Sequence, residues 1–240
     1  MTVHSITRIP GAGLAAMFTM AALFLPHAAE SLEVRVLGTD GQPLKYAVVS
    51  VHSAAPETTL GAESTPDTAV MDQTGMQFTP HVLAIRKHTQ VDFPNSDQVR
   101  HHVYSFSAAK RFELPLYADR PPSPIGFSAT GPVVLGCNIH DHMIGYIYVV
   151  DSPLFARTSD DGTALFTGVP EQRDDLHLEI WHPSLKHDEP PHRRSLATSE
   201  PDQQLTIRLQ VTDEPPPEPR GLRRGNSNLE QRFRRHERTD

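Results

Sequence analysis

Apolar residues in this chain come in short runs of Val, Ile, Thr and Phe, broken every few positions by Pro, Gly, Asp or Ser. β-branched side chains pack well on pleated strands and the intervening residues make turns, so the pattern predicts an all-β fold, a sandwich or barrel of short strands. No stretch after the N-terminus keeps a helical period. Leu32 to Leu37 reads as a strand, Thr39 to Pro43 as a turn, and Ala47 to His52 as the strand returning from it. Residues 53–68, rich in Ala, Ser, Thr, Pro and Glu, read as a surface connection. A second group of strands is expected at Phe78–Ile85, Gln90–Phe93, Val103–Phe106, Ile125–Phe127, Val133–Leu135 and Ile144–Val150, with a Pro-rich loop at 118–124. A third follows the Asp-Gly turn at Thr158–Gly162, with strands at Ala164–Phe166, Leu176–Trp181 and Leu205–Val211.

The two ends of the chain have a different texture. A basic start with His4 and Arg8 leads into an apolar run from Gly13 to Leu25, followed by the small residues Ala28 and Ala29. The run is too short to span a bilayer, so 1–29 is expected to be a signal peptide and the rest to be exported to the periplasm, with no integral membrane domain once the leader is removed. From Glu214 onward, three consecutive prolines and seven arginines with few apolar residues predict a solvated, disordered tail. At 240 residues there is room for one large domain or two small ones. The net charge of −7 argues against a nucleic-acid partner.

The single cysteine changes the picture. Cys137 cannot form an internal disulfide, and a free thiol in an oxidising compartment is a liability unless something holds it. In Gly136-Cys137-Asn138-Ile139-His140-Asp141-His142-Met143, a thiolate, imidazoles and a thioether fall within a short turn between two expected strands. Soft sulfur with imidazole is the donor preference of copper, and a trigonal His₂Cys site with a long axial Met is the blue-copper geometry. A further ligand has to come from elsewhere, and His101 and His102 are the candidates on the approach to a strand. Zinc is the competing metal, because Cys, two His and His142 could complete a tetrahedral site, whereas Met143 at the axial spacing favours copper. His182, His187 and His192, in a Pro- and charge-rich stretch, read as surface.

On these residues the chain resembles the cupredoxin family, its amicyanin- and plastocyanin-like members most closely. Cys137, His140 and Met143 match the family's Cys-x-x-His-x-x-Met, and Gly145, Ile147 and Val149 match the glycine and alternating strand that come after it in the family. Asn95, His101 and Val103 match its Asn-x₅-His-Asn-Val, with His102 where the second Asn stands. The resemblance implies one copper per chain, held by His101, Cys137, His140 and Met143, with Asn95 bracing the ligand loop from behind. Leu32 to Val51, with the turn Asp40-Gly41-Gln42-Pro43-Leu44, and the segment from Thr158 to Trp181 resemble the opening hairpin and later half of a carboxypeptidase-regulatory-like β-sandwich. The expected fold is therefore all-β: a Greek-key cupredoxin sandwich or barrel at 69–151, inserted between the parts of a flanking sandwich at 30–68 and 152–212, with the tail at 213–240. Proteins catalogued under methylamine utilisation look similar. The resemblance implies one-electron transport with periplasmic redox partners, such as a dehydrogenase or a c-type cytochrome. The alternative is a copper carrier or assembly factor without redox cycling. With no nucleophile, acid–base pair or substrate-pocket signature in the sequence, an enzyme is not expected.

Overall fold

Leu32, Val34 and Val36 alternate with polar residues, and all three are fully buried on one face of the first strand. A computed structural model describes residues 31–54, 60, 68–121, 123–170, 174–186, 189–197 and 204–211. The expected leader and tail, most of the 53–68 connection and His187 lie outside them. The described residues form strands and no helix, hence none long and apolar enough to cross a membrane. The first described strands are β1 (Ser31–Leu37) and β2 (Val48–Ser53). Next come β3 (Thr68–Val70), β4 (Asp72–Gln73), β5 (Phe78–Thr79), β6 (Val82–Arg86) and β7 (Gln90–Asp92). The middle of the chain holds β8 (His101–Phe106), β9 (Arg111–Tyr117), β10 (Ile125–Gly126), β11 (Gly131–Cys137) and β12 (Ile144–Val150). The last described strands are β13 (Leu154–Arg157), β14 (Thr163–Thr167), β15 (Leu176–Trp181), β16 (His192–Ser195) and β17 (Gln204–Arg208).

The hairpin expected from β1 and β2 does not form. β1 pairs antiparallel with β14 and parallel with β17, while β2 lies between β13 and β15 in a separate sheet. The Asp-Gly turn closes only an isolated bridge between Leu37 and Pro43, after which the chain crosses to the other layer. The two sheets, β14-β1-β17 and β13-β2-β15-β16, face each other across a core that includes Leu32, Val34, Val49, Val51, Phe166, Leu178, Ile180 and Ile207. Strands from both ends of the chain therefore share one core.

The residues between β2 and β13 build a second core around the five-stranded sheet β6-β12-β11-β8-β9. Its central strands are buried on both faces. In β12, Ile147 and Val149 point into the second core, whereas Tyr146, Tyr148 and Val150 join a third cluster with Val48, Val82, Trp181 and Leu185. Tyr148 stacks on Trp181 with centroids 4.6 Å apart and planes 11° from parallel, so this cluster joins the back of the β2–β15 sheet to the five-stranded sheet.

Three further differences from the sequence expectation have plain causes. The run Phe78–Ile85 is split into β5 and β6 because Pro80 has no N–H to give a ladder. β9 carries Pro115 and several exposed residues, which suit an edge and mask its strand pattern. β16 is exposed at every position, so it has no alternation to read.

Gly145, in β12, has no room for a side chain. A Cβ there would lie 2.6 Å from the Cβ of buried Phe78, an atom close to the backbone that cannot swing aside. Gly145→Ala is expected to cost about 1–3 kcal/mol of stability, the usual cost of overpacking a filled core. Urea unfolding of the two proteins measures it; equal midpoints would show that β5 yields freely.

Candidate metal centre

Two rigid strands and one turn bring the donors together. β8 begins at His101, β11 ends at Cys137, and the turn from 138 to 143 carries His140 and leads into β12. Cys137 pairs across the ladder with Val103, two residues from His101. The turn is tied down at three points: Met143 N–H donates to His140 C=O (2.9 Å), Cys137 N–H to Met143 C=O (3.2 Å), and Asn138 N–H to His102 C=O (3.1 Å). The last bond ties the turn directly to β8.

His101 is fully buried and Cys137 is 2 % exposed, while His140 is half-buried at the rim. Cys137 Sγ lies 3.7 Å from His101 Nδ1 and 3.6 Å from His140 Nδ1, and the two nitrogens are 3.2 Å apart. Three atoms at these separations lie on a circle of radius about 2.0 Å, close to the roughly 2.0–2.1 Å of a metal–imidazole bond. Among the described residues, this is the one group of three or more His, Cys, Asp or Glu side chains whose donor atoms converge in this way. Burial, then the neighbouring His101 and His142, push His140 below the usual histidine range, which favours the neutral ring that a metal requires. The buried thiol, two Nδ1 atoms and nearby thioether form a soft donor set, and that chemistry fits copper.

The neighbouring histidines part company at this point. The β8–β9 register shifts between His101 and Val103, and at that bulge His101 faces Cys137 and His140 while His102 turns to Glu113 on β9, with Nε2 2.9 Å from its carboxylate. Among the described residues, the buried His102 Nδ1 has no hydrogen-bond partner. Met143 is 1 % exposed and packs in the same core cluster as Cys137. Asn95 is buried, and its amide donates to the carbonyls of Val99 (2.8 Å) and Tyr117 (3.2 Å) while its Oδ1 accepts the Asp97 N–H (3.0 Å). It thus closes the loop that leads into β8. His142 is exposed in the turn, with its ring 6.3 Å from that of His140.

Several residues beside the cluster carry no sequence signal. Asp97 Oδ2 lies 2.8 Å from His101 Nε2. The Tyr117 hydroxyl donates to Phe93 C=O (2.9 Å) and accepts from the amide of fully buried Gln73. Burial pushes the Tyr117 phenol up to about 12, although the Gln73 bond opposes this, and the nearby Cys137 adds to the rise. Gln73 and Phe93 reach Tyr117 from distant parts of the chain, so only the tertiary fold reveals those bonds, whereas Asp97 stands four residues before His101. The fold also corrects one expectation: His182 is not a surface residue. It is buried, its Nε2 donates to Lys45 C=O (2.9 Å), and its Nδ1 accepts the Ser184 N–H (3.1 Å). His192 is exposed.

No protein-family model matches the chain, and no curated protein matches it. Among solved structures, the chain is similar to a purple cupredoxin from Nitrosopumilus maritimus at 23% identity and a TM-score of 0.30, covering 34% of this chain and 99% of that one. It is also similar to a copper-containing nitrite reductase from Thermus scotoductus SA-01 at 24% identity and a TM-score of 0.33, with 48% of this chain and 28% of that one covered. A reduced Cu(I) form of an amicyanin variant matches at 19% identity and a TM-score of 0.32, covering 42% of this chain and 98% of that chain.

Proposed function

We propose that this chain is a cupredoxin-type protein that binds one type 1 copper and carries single electrons between periplasmic redox partners. The observation that carries the reading is the triangle of His101 Nδ1, Cys137 Sγ and His140 Nδ1, three donor atoms that converge on one point. Met143 is the proposed fourth residue that would hold the metal, its thioether favouring copper over zinc, and Asn95 the residue bracing the ligand loop. Copper held there supplies the Cu(I)/Cu(II) couple. His101 and Cys137 are buried on paired strands, which would hold their positions as a bound metal changes charge. His140, at the half-buried rim, is the ligand nearest solvent and the proposed route for electrons.

In this reading residues 69–151 form the copper domain, inserted between 30–68 and 152–212. The pairing of β1 with β14 and β17 supports a shared flanking sandwich. Residues 1–29 are the proposed leader that delivers the chain to the periplasm, and a dehydrogenase or c-type cytochrome is the proposed kind of partner.

The test is the visible and paramagnetic-resonance spectrum after one equivalent of Cu(II). An intense thiolate-to-copper band with small hyperfine splitting is expected. A weak band with the wide splitting of a tetragonal site would instead favour a carrier without redox cycling.

A further inference from the structure

We propose that Asp97 is a positioning residue for the metal site: its carboxylate sets which nitrogen of His101 faces Cys137 and His140, and its charge favours the more oxidised metal. The inference rests on the copper reading above. The His101 ring has two nitrogens with different neighbours. Nδ1 faces the sulfur and the second imidazole, and Nε2 lies 2.8 Å from Asp97 Oδ2. A carboxylate only accepts, so the proton sits on Nε2 and the lone pair of Nδ1 is left for the metal.

The carboxylate is itself held from other directions. Gly75 N–H donates to Oδ1 at 2.6 Å and Met76 N–H to Oδ2 at 2.9 Å, while the Asp97 N–H is fixed by Asn95. Its place is thus set by the turn at 74–77 and by Asn95, and the ring of His101 conforms to it. The Asp97 side chain is 13% exposed, so water screens its charge poorly. The other imidazole–carboxylate pair in this region, His102 with Glu113, provides the internal control: it faces away from the cluster and Glu113 is 58% exposed.

Carboxylates behind a ligating histidine orient the ring and raise its basicity, and losing one typically weakens metal binding about 10–100-fold. Removing a nearby negative charge penalises the dication more than the monocation. Asp97→Asn should therefore weaken Cu(II) binding more than Cu(I) binding and raise the reduction potential. A tenfold difference between the two affinities corresponds to about 59 mV for one electron. Glu113→Gln should leave the potential where it is.

Nitrogen-15 NMR of the metal-free full-length protein reads the ring directly, and Nε2–H is expected for His101. An Nδ1–H tautomer in the wild type would overturn the proposal, whether or not Asp97→Asn folds. A potential unchanged in Asp97→Asn, or shifted equally by Glu113→Gln, would overturn it as well. Failure of the copper reading shows separately, as a wild-type protein that gives no intense band with Cu(II), because the tautomer readout needs no metal.

Discussion

Cys137→Ala is expected to eliminate the intense visible absorption of the Cu(II) protein, not merely to weaken it. The band requires charge transfer from a thiolate to copper, and Cys137 is the only cysteine in the chain, so no second sulfur anion can take over. The two Nδ1 atoms would remain 3.2 Å apart and could still hold Cu(II), giving a pale protein with an ordinary nitrogen–oxygen spectrum. The fold should survive, because the substitution removes one small buried side chain at a strand end. Comparing the adjacent histidines sharpens the result. His101→Ala removes a fully buried donor aimed at the sulfur, whereas His102→Ala removes a ring paired with Glu113 on the other side of the bulge. His101→Ala should therefore abolish or strongly shift the band, and His102→Ala should leave its position nearly unchanged. Titration with Cu(II) followed by absorption spectroscopy decides it. Loss of colour in His102→Ala alone would place the upstream ligand one residue later.

The reasons for what can and cannot be read from the sequence are physical. β1 and β15 are legible because each has one face in a core and so alternates in a way that survives without neighbours. Their partners are not. The Asp-Gly turn after β1 is a local signal for a hairpin, but the strand that pairs parallel to β1 is β17, at the far end of the chain, and no local pattern encodes that choice. Exposed edge strands such as β16 lack the burial contrast on which any pattern depends. At the candidate metal centre, Cys137 and His140 stand out because one short turn carries both. Asp97 does not, since a carboxylate in a polar loop looks like any solvated one until its contact with His101 is seen. His182 misleads for the opposite reason. Its sequence neighbours are prolines and charges, yet the chain folds it inward against the Lys45 carbonyl.

That buried histidine makes the protein sensitive to acid. Both ring nitrogens of His182 are committed in the neutral form: Nε2–H donates to Lys45 C=O, and the Nδ1 lone pair accepts the Ser184 N–H. A second proton would have to go on Nδ1, breaking the Ser184 bond and placing a charge in a buried site near His81. Burial, with a smaller contribution from His81, accordingly holds His182 down at about 4, although its bond to Lys45 opposes the shift. The unfolded chain, near the ordinary value of 6.5, binds this proton first as pH falls. Stability is therefore fully present above about 6.5 and is lost between there and about 4, below which both states are protonated. The span amounts to about 3 kcal/mol, from 1.36 kcal/mol per pKa unit. The site of the loss matters, because Lys45 precedes Tyr46, whose φ of +73° is in the left-handed region and whose ring packs on His81, which in turn packs on Tyr146 of β12. Acid should thus loosen the seam between the two cores at the strand that follows Met143. His182→Gln keeps a donor for Lys45 but cannot take up the proton. It should be less stable than the wild type at pH 7, with a gap that closes or reverses by about pH 4, as the wild type loses the roughly 3 kcal/mol that the variant does not. Urea unfolding from pH 7 to 4 measures both curves, and parallel profiles would show that His182 does not take up its proton on unfolding.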